Sequence, residues 1–201
     1  MLDFSKKLIQ FDSSFKMPIA GVDEVGRGPL AGPVVAAAVI MNKNNIPRYI
    51  NDSKQLSKKI RYELCEEIKN NSTYSIAKAS VEEIDKINIL QASLLAMKRA
   101  ILGLKKIPTT VLIDGKFLPK INFKMHSIIK GDSKSLSIAA ASIIAKVHRD
   151  NIMKEFASKY PEYLWEKNSG YGTKEHLFAI KKHGITPIHR KTFMPINNIL
   201  N

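Results

Sequence analysis

Three short apolar runs that each lead into an acidic residue constrain the fold more than any other feature of this sequence. The run IAGVD ends at Asp23, TVLID ends at Asp114, and SIIKGD ends at Asp132. Each run has the length and the β-branched content of a buried strand. In α/β folds, functional groups gather where strands end, because neighbouring strands can direct their side chains to one place. We therefore expect the three acids to lie close together at one edge of a sheet.

The rest of the chain alternates between strand and helix patterns. Beyond the runs that end at Asp23 and Asp114, strands are predicted at residues 33–41, 73–80 and about 124–130. Helical spacing predicts a short helix from Val81 and longer helices at residues 57–69, 89–104, 135–160 and 174–183. This order predicts an α/β fold with a mixed sheet and flanking helices. No repeat or long linker interrupts residues 1–201, so we expect a single domain.

Charge and composition narrow the class of protein. The chain has 32 Lys and Arg against 18 Asp and Glu, and its net charge of +14 suits a polyanionic partner such as nucleic acid, although general lysine enrichment would give the same balance. No apolar stretch is long enough to span a membrane, and no signal peptide is evident. Cys65 is the only cysteine, which excludes an intramolecular disulfide and fits a reducing compartment. We expect a cytoplasmic protein.

The acidic residues predict a metal site if they converge. Asp23 and the adjacent Glu24 close an apolar strand, which is unfavourable unless cations or water meet their charge. A strand end in solvent would explain that pair alone, and Asp114-Gly115 alone would suit a hairpin turn. Converging carboxylates select hard cations such as Mg²⁺ or Mn²⁺. Two such ions about 4 Å apart can promote phosphodiester hydrolysis, and a single ion held by two acids is also chemically possible. Zinc is disfavoured, because the five histidines lack a ligand spacing.

A glycine-rich segment, GRGPLAGP at residues 26–33, follows the first acidic pair; we call it the glycine loop. It exposes backbone N–H and C=O groups to a closely approaching partner, and Arg27 can contact a phosphate. It is neither a Walker loop nor a dinucleotide-binding fingerprint. Taken only as a glycine-rich turn, it would be a weak signal.

The motif GVDEVGRGP at residues 21–29 strongly resembles the signature of the ribonuclease HII family, the type 2 ribonucleases H. Agreement with that family continues through further blocks in the same order, so that it covers roughly residues 19–193: DSKQLS at 52–57, IDG at 113–115, KGDS at 130–133, residues 139–150, and GYGT at 170–173. The resemblance implies a ribonuclease H-like fold, with a mixed five-stranded sheet, flanking helices and a C-terminal helical part. It also implies an endonuclease that uses Mn²⁺ or Mg²⁺, two ions during catalysis.

The resemblance implies a substrate and a role for each matching residue. The substrate would be the RNA strand of an RNA–DNA hybrid, or duplex DNA containing ribonucleotides, cut on their 5′ side to leave 3′-hydroxyl and 5′-phosphate ends. Four acids match the metal-binding and catalytic positions: Asp23, Glu24, Asp114 and Asp132. Five residues match substrate-binding positions: Gly26, Arg27 and Gly28, whose backbone reads the 2′-hydroxyl, Tyr171, which packs on the following deoxyribose, and Lys54, which lies near a phosphate. Without the resemblance, Tyr171 could be a core residue and Lys54 merely solvated.

Other readings remain open at the level of sequence. The ribonuclease HIII family shares the Gly-Arg-Gly-Pro block but carries an extra N-terminal domain, for which the roughly 18 residues before the first strand leave no room. Integrases and resolvases have similar acids but lack the Gly-Arg-Gly loop, and a non-catalytic hybrid-binding module gains nothing from clustered acids. We expect a monomer. His148 and Arg149 are interpreted as packing or salt-bridge residues, and His176 could face the substrate.

Overall fold

The computed structural model describes residues 4–47, 50 and 56–200, and a five-stranded sheet forms its centre. The strands are β1 (Ile19–Val25), β2 (Val34–Met41), β3 (Ser72–Ala79), β4 (Thr110–Asp114) and β5 (Met125–Ile128). Their order in the sheet is β3–β2–β1–β4–β5. The first three strands pair antiparallel, whereas β4 pairs parallel with both β1 and β5. The predicted mixed five-stranded sheet is confirmed.

Helices cover both faces of the sheet and form the C-terminal part. They are α1 (Phe4–Ser13), α2 (Lys58–Asn70), α3 (Val81–Leu102), α4 (Leu136–Lys159), α5 (Trp165–Asn168), α6 (Lys174–His183) and α7 (Ile196–Leu200). The predicted helices correspond to α2, α3, α4 and α6. Helices α1, α5 and α7 are not predicted from the sequence. With four and five residues, α5 and α7 are too short for a periodic pattern to stand out.

The sequence predicts a short helix from Val81 and a longer helix at residues 89–104, and α3 does contain a break between these two parts. Ser80 caps the first part through a capping box with Glu83. Asn88 then leaves helical geometry, with φ 65° and ψ 165°, and its Oδ1 accepts the amide N–H groups of Leu90 and Gln91. Asn88 therefore acts as the N-cap of the longer second part, since a side-chain oxygen satisfies the first free amides of a helix.

The continuous apolar run of β2 reflects a strand that is covered on both faces. Val35, Ala37 and Val39 pack in one cluster with residues of α1, α2 and α4. The alternate residues Ala36 and Ala38 pack in another cluster with residues of α3. Successive side chains of a strand point to opposite faces, so a central strand with helices on both sides is apolar throughout.

The C-terminal helices pack around Tyr163 and Trp165, which are both fully buried, and against Met153 near the end of α4. Leu30 and Ala31 of the glycine loop belong to the same cluster. The C-terminal part therefore lies directly beside the glycine loop. In the part of the chain that the structure describes, no helix is long and apolar enough to cross a membrane.

Candidate active site

Asp23 and Asp114 lie level with one another on two neighbouring parallel strands. Val22 of β1 is paired with Ile113 of β4, and the two acids are the next residues of their strands. Neighbouring strands are about 4.8 Å apart, and side chains alternate between faces. Asp23 therefore shares a face with Gly21, which lies against the backbone of α4 at Ser137. The parallel pairing brings together two carboxylates that are separated by ninety residues of sequence.

The carboxylate of Asp23 is held within the protein rather than in solvent. Its side chain is only 7% exposed, and its Oδ1 accepts the amide N–H of Glu24 at 2.7 Å. The hydroxyl of Ser142 on α4 provides a further hydrogen bond. Glu24 is partly buried, and its Oε1 lies 3.5 Å from Nη1 of Arg27. The strand end thus carries two adjacent carboxylates of which only one has a cationic neighbour in the described residues.

The turn that carries Asp132 is attached to Asp114. The amide N–H of Gly131 donates to Oδ1 of Asp114 at 2.6 Å, which holds the short 3₁₀ turn at residues 131–133 beside the end of β4. Asp132 itself is 8% exposed. A side chain at Gly131 would meet Cδ1 of Ile138 at 2.6 Å and Oδ1 of Asp114 at 3.2 Å, so a larger residue here would require the Ile138 side chain to move.

The electrostatics of these acids show an excess of buried negative charge. Burial, followed by repulsion from Glu24 and Asp114, raises the pKa of Asp23 well above its usual range. Burial also raises the pKa of Glu24 to about 7, although the neighbouring Arg27 opposes this shift. Such groups accept a cation readily, because a positive charge relieves both the repulsion and the loss of hydration.

The carboxylates fit an open divalent-cation site better than a closed one. Among residues 4–47, 50 and 56–200, no group of three or more His, Cys, Asp or Glu side chains is gathered closely enough to hold a metal ion by itself. Mg²⁺ is commonly held by one or two carboxylates, with water and substrate phosphate as its remaining ligands. Buried, oxygen-only carboxylates with raised pKa values suit a hard cation of this kind.

The glycine loop and Tyr171 lie beside one another. A side chain built at Gly28 would lie 3.5 Å from Cε1 of Tyr171, and the amide N–H of Leu30 donates to the carbonyl of Gly170 at 2.7 Å. Arg27 and Gly28 are exposed, and the Tyr171 side chain is 45% exposed. The structure thus joins the two segments that are predicted to bind substrate into one surface. Lys54, the remaining predicted substrate-binding residue, lies outside the described residues.

Comparison with known proteins identifies the family. The family model "Ribonuclease HII" matches residues 20–196. A ribonuclease HII of Pelagibacter ubique (strain HTCC1062) is 58% identical over 183 residues, which cover 90% of this chain and 98% of that protein. The chain belongs to the ribonuclease HII family. It is accordingly an endoribonuclease of the ribonuclease H type, and the interpretation of its sequence as ribonuclease HII is confirmed.

Solved structures agree with this assignment. The ribonuclease H2 of Pyrococcus horikoshii OT3 superposes with a TM-score of 0.76 at 29% identity, covering 91% of this chain and 97% of that chain. The Bst-RNase HIII complex with Mn²⁺ superposes with a TM-score of 0.78 at 19% identity, covering 96% of this chain and 72% of that chain. The second likeness supports the fold alone. The predicted ribonuclease H-like fold is confirmed.

This ribonuclease HII chain contains a buried pair of histidines, His176 and His189, that the sequence does not predict. His176 is fully buried, so the expectation that it could face the substrate is wrong. Its Nε2 lies 3.1 Å from Nε2 of His189 and 3.0 Å from Nε1 of Trp165, and its Nδ1 lies 2.9 Å from the carbonyl oxygen of Tyr171. Nδ1 of His189 accepts the amide N–H of Thr186 at 2.9 Å.

These contacts assign the protons of both rings. Because Nδ1 of His176 faces a carbonyl, it carries the proton, and its Nε2 accepts from Trp165 and from Nε2–H of His189. Burial lowers the pKa of His176, and burial together with the neighbouring His176 lowers that of His189 to about 4. Both rings are therefore neutral at pH 7, and they form a chain of hydrogen bonds that ends on the backbone of Tyr171.

Two buried arginines, Arg149 and Arg190, donate hydrogen bonds to main-chain carbonyls of the glycine loop. Arg149 is predicted to be a packing or salt-bridge residue. It is fully buried, and it donates hydrogen bonds to the carbonyls of Pro33 and Ala31. A sequence signal for it exists, because it follows Ala145 and precedes Met153 at four-residue spacing on the buried face of α4. Arg190 lies outside any helix or strand, and no periodic pattern indicates its burial.

Proposed function

We propose that this ribonuclease HII hydrolyses the RNA strand of RNA–DNA hybrids and cuts duplex DNA on the 5′ side of embedded ribonucleotides. The cut would leave 3′-hydroxyl and 5′-phosphate ends. The observation that carries this proposal is that the buried Asp23 and the partly exposed Asp114 lie at the same end of two paired strands. The glycine loop begins three positions after Asp23, and its exposed residue Gly28 lies against Tyr171. Acids alone would suit any nuclease, whereas the adjoining backbone surface suits recognition of a ribose.

In this proposal Asp23, Glu24 and Asp114 hold two divalent ions, Mn²⁺ or Mg²⁺, and Asp132 is the fourth ligand. When bound, such ions supply activation of water and stabilisation of charge on the phosphate. The protein's own contribution is to bury the carboxylates of Asp23 and Glu24, which raises their pKa values, so that a bound metal ion replaces protons there. No side chain is needed as a nucleophile.

Substrate selection would come from the glycine loop and Tyr171. The 2′-hydroxyl distinguishes RNA from DNA, and the backbone groups of Gly26, Arg27 and Gly28 can approach it closely because two of the three residues lack a side chain. The half-exposed ring of Tyr171 offers a flat surface to the following deoxyribose. Lys54 would lie near a phosphate. The net charge of +14 favours the polyanionic substrate, and we expect the enzyme to act as a monomer.

The test uses a DNA duplex that contains one ribonucleotide, with Mn²⁺ or Mg²⁺. We expect a single cut on the 5′ side of the ribonucleotide, and loss of at least about a hundredfold in kcat/KM in Asp114→Asn, since metal stabilisation of the transition state amounts to several kcal/mol. Glu66→Gln is the matched control, because Glu66 is an exposed carboxylate paired with Lys69 on α2. Equal cleavage of an all-DNA duplex would contradict the proposal, as would binding of the ribonucleotide duplex without any cleavage.

A further inference from the structure

The side chain of Arg190 is directed at the main chain of the glycine loop. It is fully buried, and its Nε and Nη2 donate to the carbonyl of Gly32 at 3.0 and 2.8 Å. Its Nη1 donates to the carbonyl of Arg27 at 2.9 Å, and its Nη2 also donates to that of Gly26 at 2.5 Å. One guanidinium group therefore determines the orientation of three peptide units at the two ends of the loop.

Arg149 supports the same loop from α4 and connects it to the segment of Tyr171. Its Nε donates to the carbonyl of Pro33 and its Nη2 to that of Ala31, both at 3.1 Å. Its Nη1 donates to the carbonyl of Ser169 at 3.0 Å, two residues before Tyr171. The two halves of the proposed substrate surface thus share one buried support.

Both guanidinium groups are buried at a substantial electrostatic cost. Burial lowers the pKa of Arg149 to about 10 and that of Arg190 to about 9, so both remain cationic at pH 7. None of the ion pairs among the described residues includes either of them. Apolar side chains would fill the same volume at lower cost. What arginine adds is a planar fork of donors that can hold several carbonyl oxygens in one geometry.

The direction of the carbonyls determines what the loop presents to solvent. In a trans peptide the C=O and the following N–H point in opposite directions. Because Arg190 draws the carbonyls of Gly26 and Arg27 inward, the amide N–H groups of Arg27 and Gly28 point to the exposed side. Neither amide donates a hydrogen bond to another residue in the described part of the chain.

We propose that Arg190, supported by Arg149, is a positioning residue that orients the Arg27 and Gly28 amides toward the 2′-oxygen of the substrate ribonucleotide. This inference rests on the proposed function, in which the glycine loop reads that oxygen. Arg190 itself touches no substrate, because its side chain is buried beneath the loop.

The experiment combines Arg190→Lys with removal of the 2′-hydroxyl. The full chain and the variant are assayed on a duplex containing one ribonucleotide and on the same duplex with a 2′-fluoro nucleotide at that position, which is a poor hydrogen-bond acceptor. Lysine keeps the positive charge but lacks the planar set of N–H donors of the guanidinium group. We expect kcat/KM on the ribonucleotide duplex to fall about a hundredfold, mainly through kcat, since a displacement of about 1 Å can cost that much. We expect the penalty for 2′-fluoro to shrink at least about tenfold in the variant.

Arg99→Lys is the matched control, because Arg99 is a half-exposed arginine on α3 that pairs with Glu83. It should leave both rates unchanged. If Arg190→Lys and the 2′-fluoro substitution reduce the rate independently, the inference is wrong. It is also wrong if the variant weakens binding of an all-DNA duplex and lowers the slope of log Kd against log salt concentration by about one, because that indicates a phosphate contact.

Two further observations separate this inference from its premise. If the wild-type chain cleaves the ribonucleotide duplex but is indifferent to 2′-fluoro, the loop does not read the 2′-oxygen, and both the recognition step and the role of Arg190 are refuted. If Arg190→Lys does not fold, ¹⁵N spectra of the wild-type arginine side chains decide. Separate, slowly exchanging Nη signals for Arg190 support a fixed guanidinium group, and averaged signals overturn it.

Discussion

Replacing Gly21 with alanine should destabilise the fold where β1 and α4 meet. A methyl group at this position would fall on the backbone of α4 at Ser137 and Ile138, well inside any normal contact distance. A clashing side chain could rotate away, but this backbone is held in place. The amide N–H of Ser137 donates to Oδ2 of Asp12 at 2.9 Å, and the hydroxyl of Ser135 caps the first turn of α4. The strand and the helix must therefore separate.

The size of the effect follows from that separation. Adding a methylene group to a well-packed core costs about 1–3 kcal/mol even when side chains can adjust. Here the layers also lose close contact, and a gap of about 0.5–1 Å forfeits a quarter to a half of the dispersion energy of the atoms involved. We expect Gly21→Ala to lower the free energy of unfolding by at least about 3 kcal/mol, which is more than a hundredfold in the folding equilibrium.

Urea unfolding followed by tryptophan fluorescence measures this change directly, because Trp165 is the only tryptophan and is fully buried. Gly28→Ala is the matched control. Its methyl group would meet only Cε1 of Tyr171 at 3.5 Å, an ordinary contact, so its midpoint should lie within about 0.5 kcal/mol of the wild type. Equal midpoints for Gly21→Ala and Gly28→Ala would refute the packing explanation.

Three further predictions concern capping and protonation. Ser80→Ala removes the capping box of α3 and should cost about 1 kcal/mol in a urea titration, whereas Ser158→Ala on the exposed face of α4 should cost almost nothing. The pKa of His189 is lowered to about 4, so as the pH falls the ring is protonated in the unfolded chain before it is protonated in the folded one. The neutral ring therefore contributes about 2–3 kcal/mol of stability above pH 6.5, and this contribution is lost as the pH falls toward 4. Its ring carbon-13 and proton NMR signals should stay unchanged from pH 8 to pH 5.5. The pKa of Glu24 is raised to about 7, so without metal the ionisation of this carboxyl group destabilises the fold as the pH rises from about 4.5 to 7. Calorimetry should accordingly show tighter Mn²⁺ binding, with proton release, over the same range; affinity independent of pH would contradict this.

Much of the fold could be predicted because its signals are local. Strands β1, β2 and β4 are short apolar runs, and α2, α3, α4 and α6 each begin after a residue whose side chain caps the helix. Even the break at Asn88 follows from local chemistry, since an asparagine side chain can cap the helix that follows it. The family itself could be recognised from contiguous motifs.

The arrangement around the candidate site depends on contacts between distant segments. That three apolar runs end in acids can be read from the sequence, but the parallel pairing of β1 with β4 is what sets Asp23 level with Asp114. The burial of Arg190, His176 and His189 could not be predicted, because charged and polar residues are usually exposed and nothing local marks these as exceptions.

The sequence by itself therefore determined the five strands, the four longer helices α2, α3, α4 and α6, the family and the identity of the acids at the strand ends. Only the tertiary structure decided that Gly26 and Arg27 turn their carbonyls inward, that Gly28 lies against Tyr171, and that two buried cations support both. The physical reason is that a side chain's hydrogen-bond partners and degree of hydration are properties of its surroundings. For Arg190 those surroundings come from residues more than one hundred and fifty positions earlier in the chain.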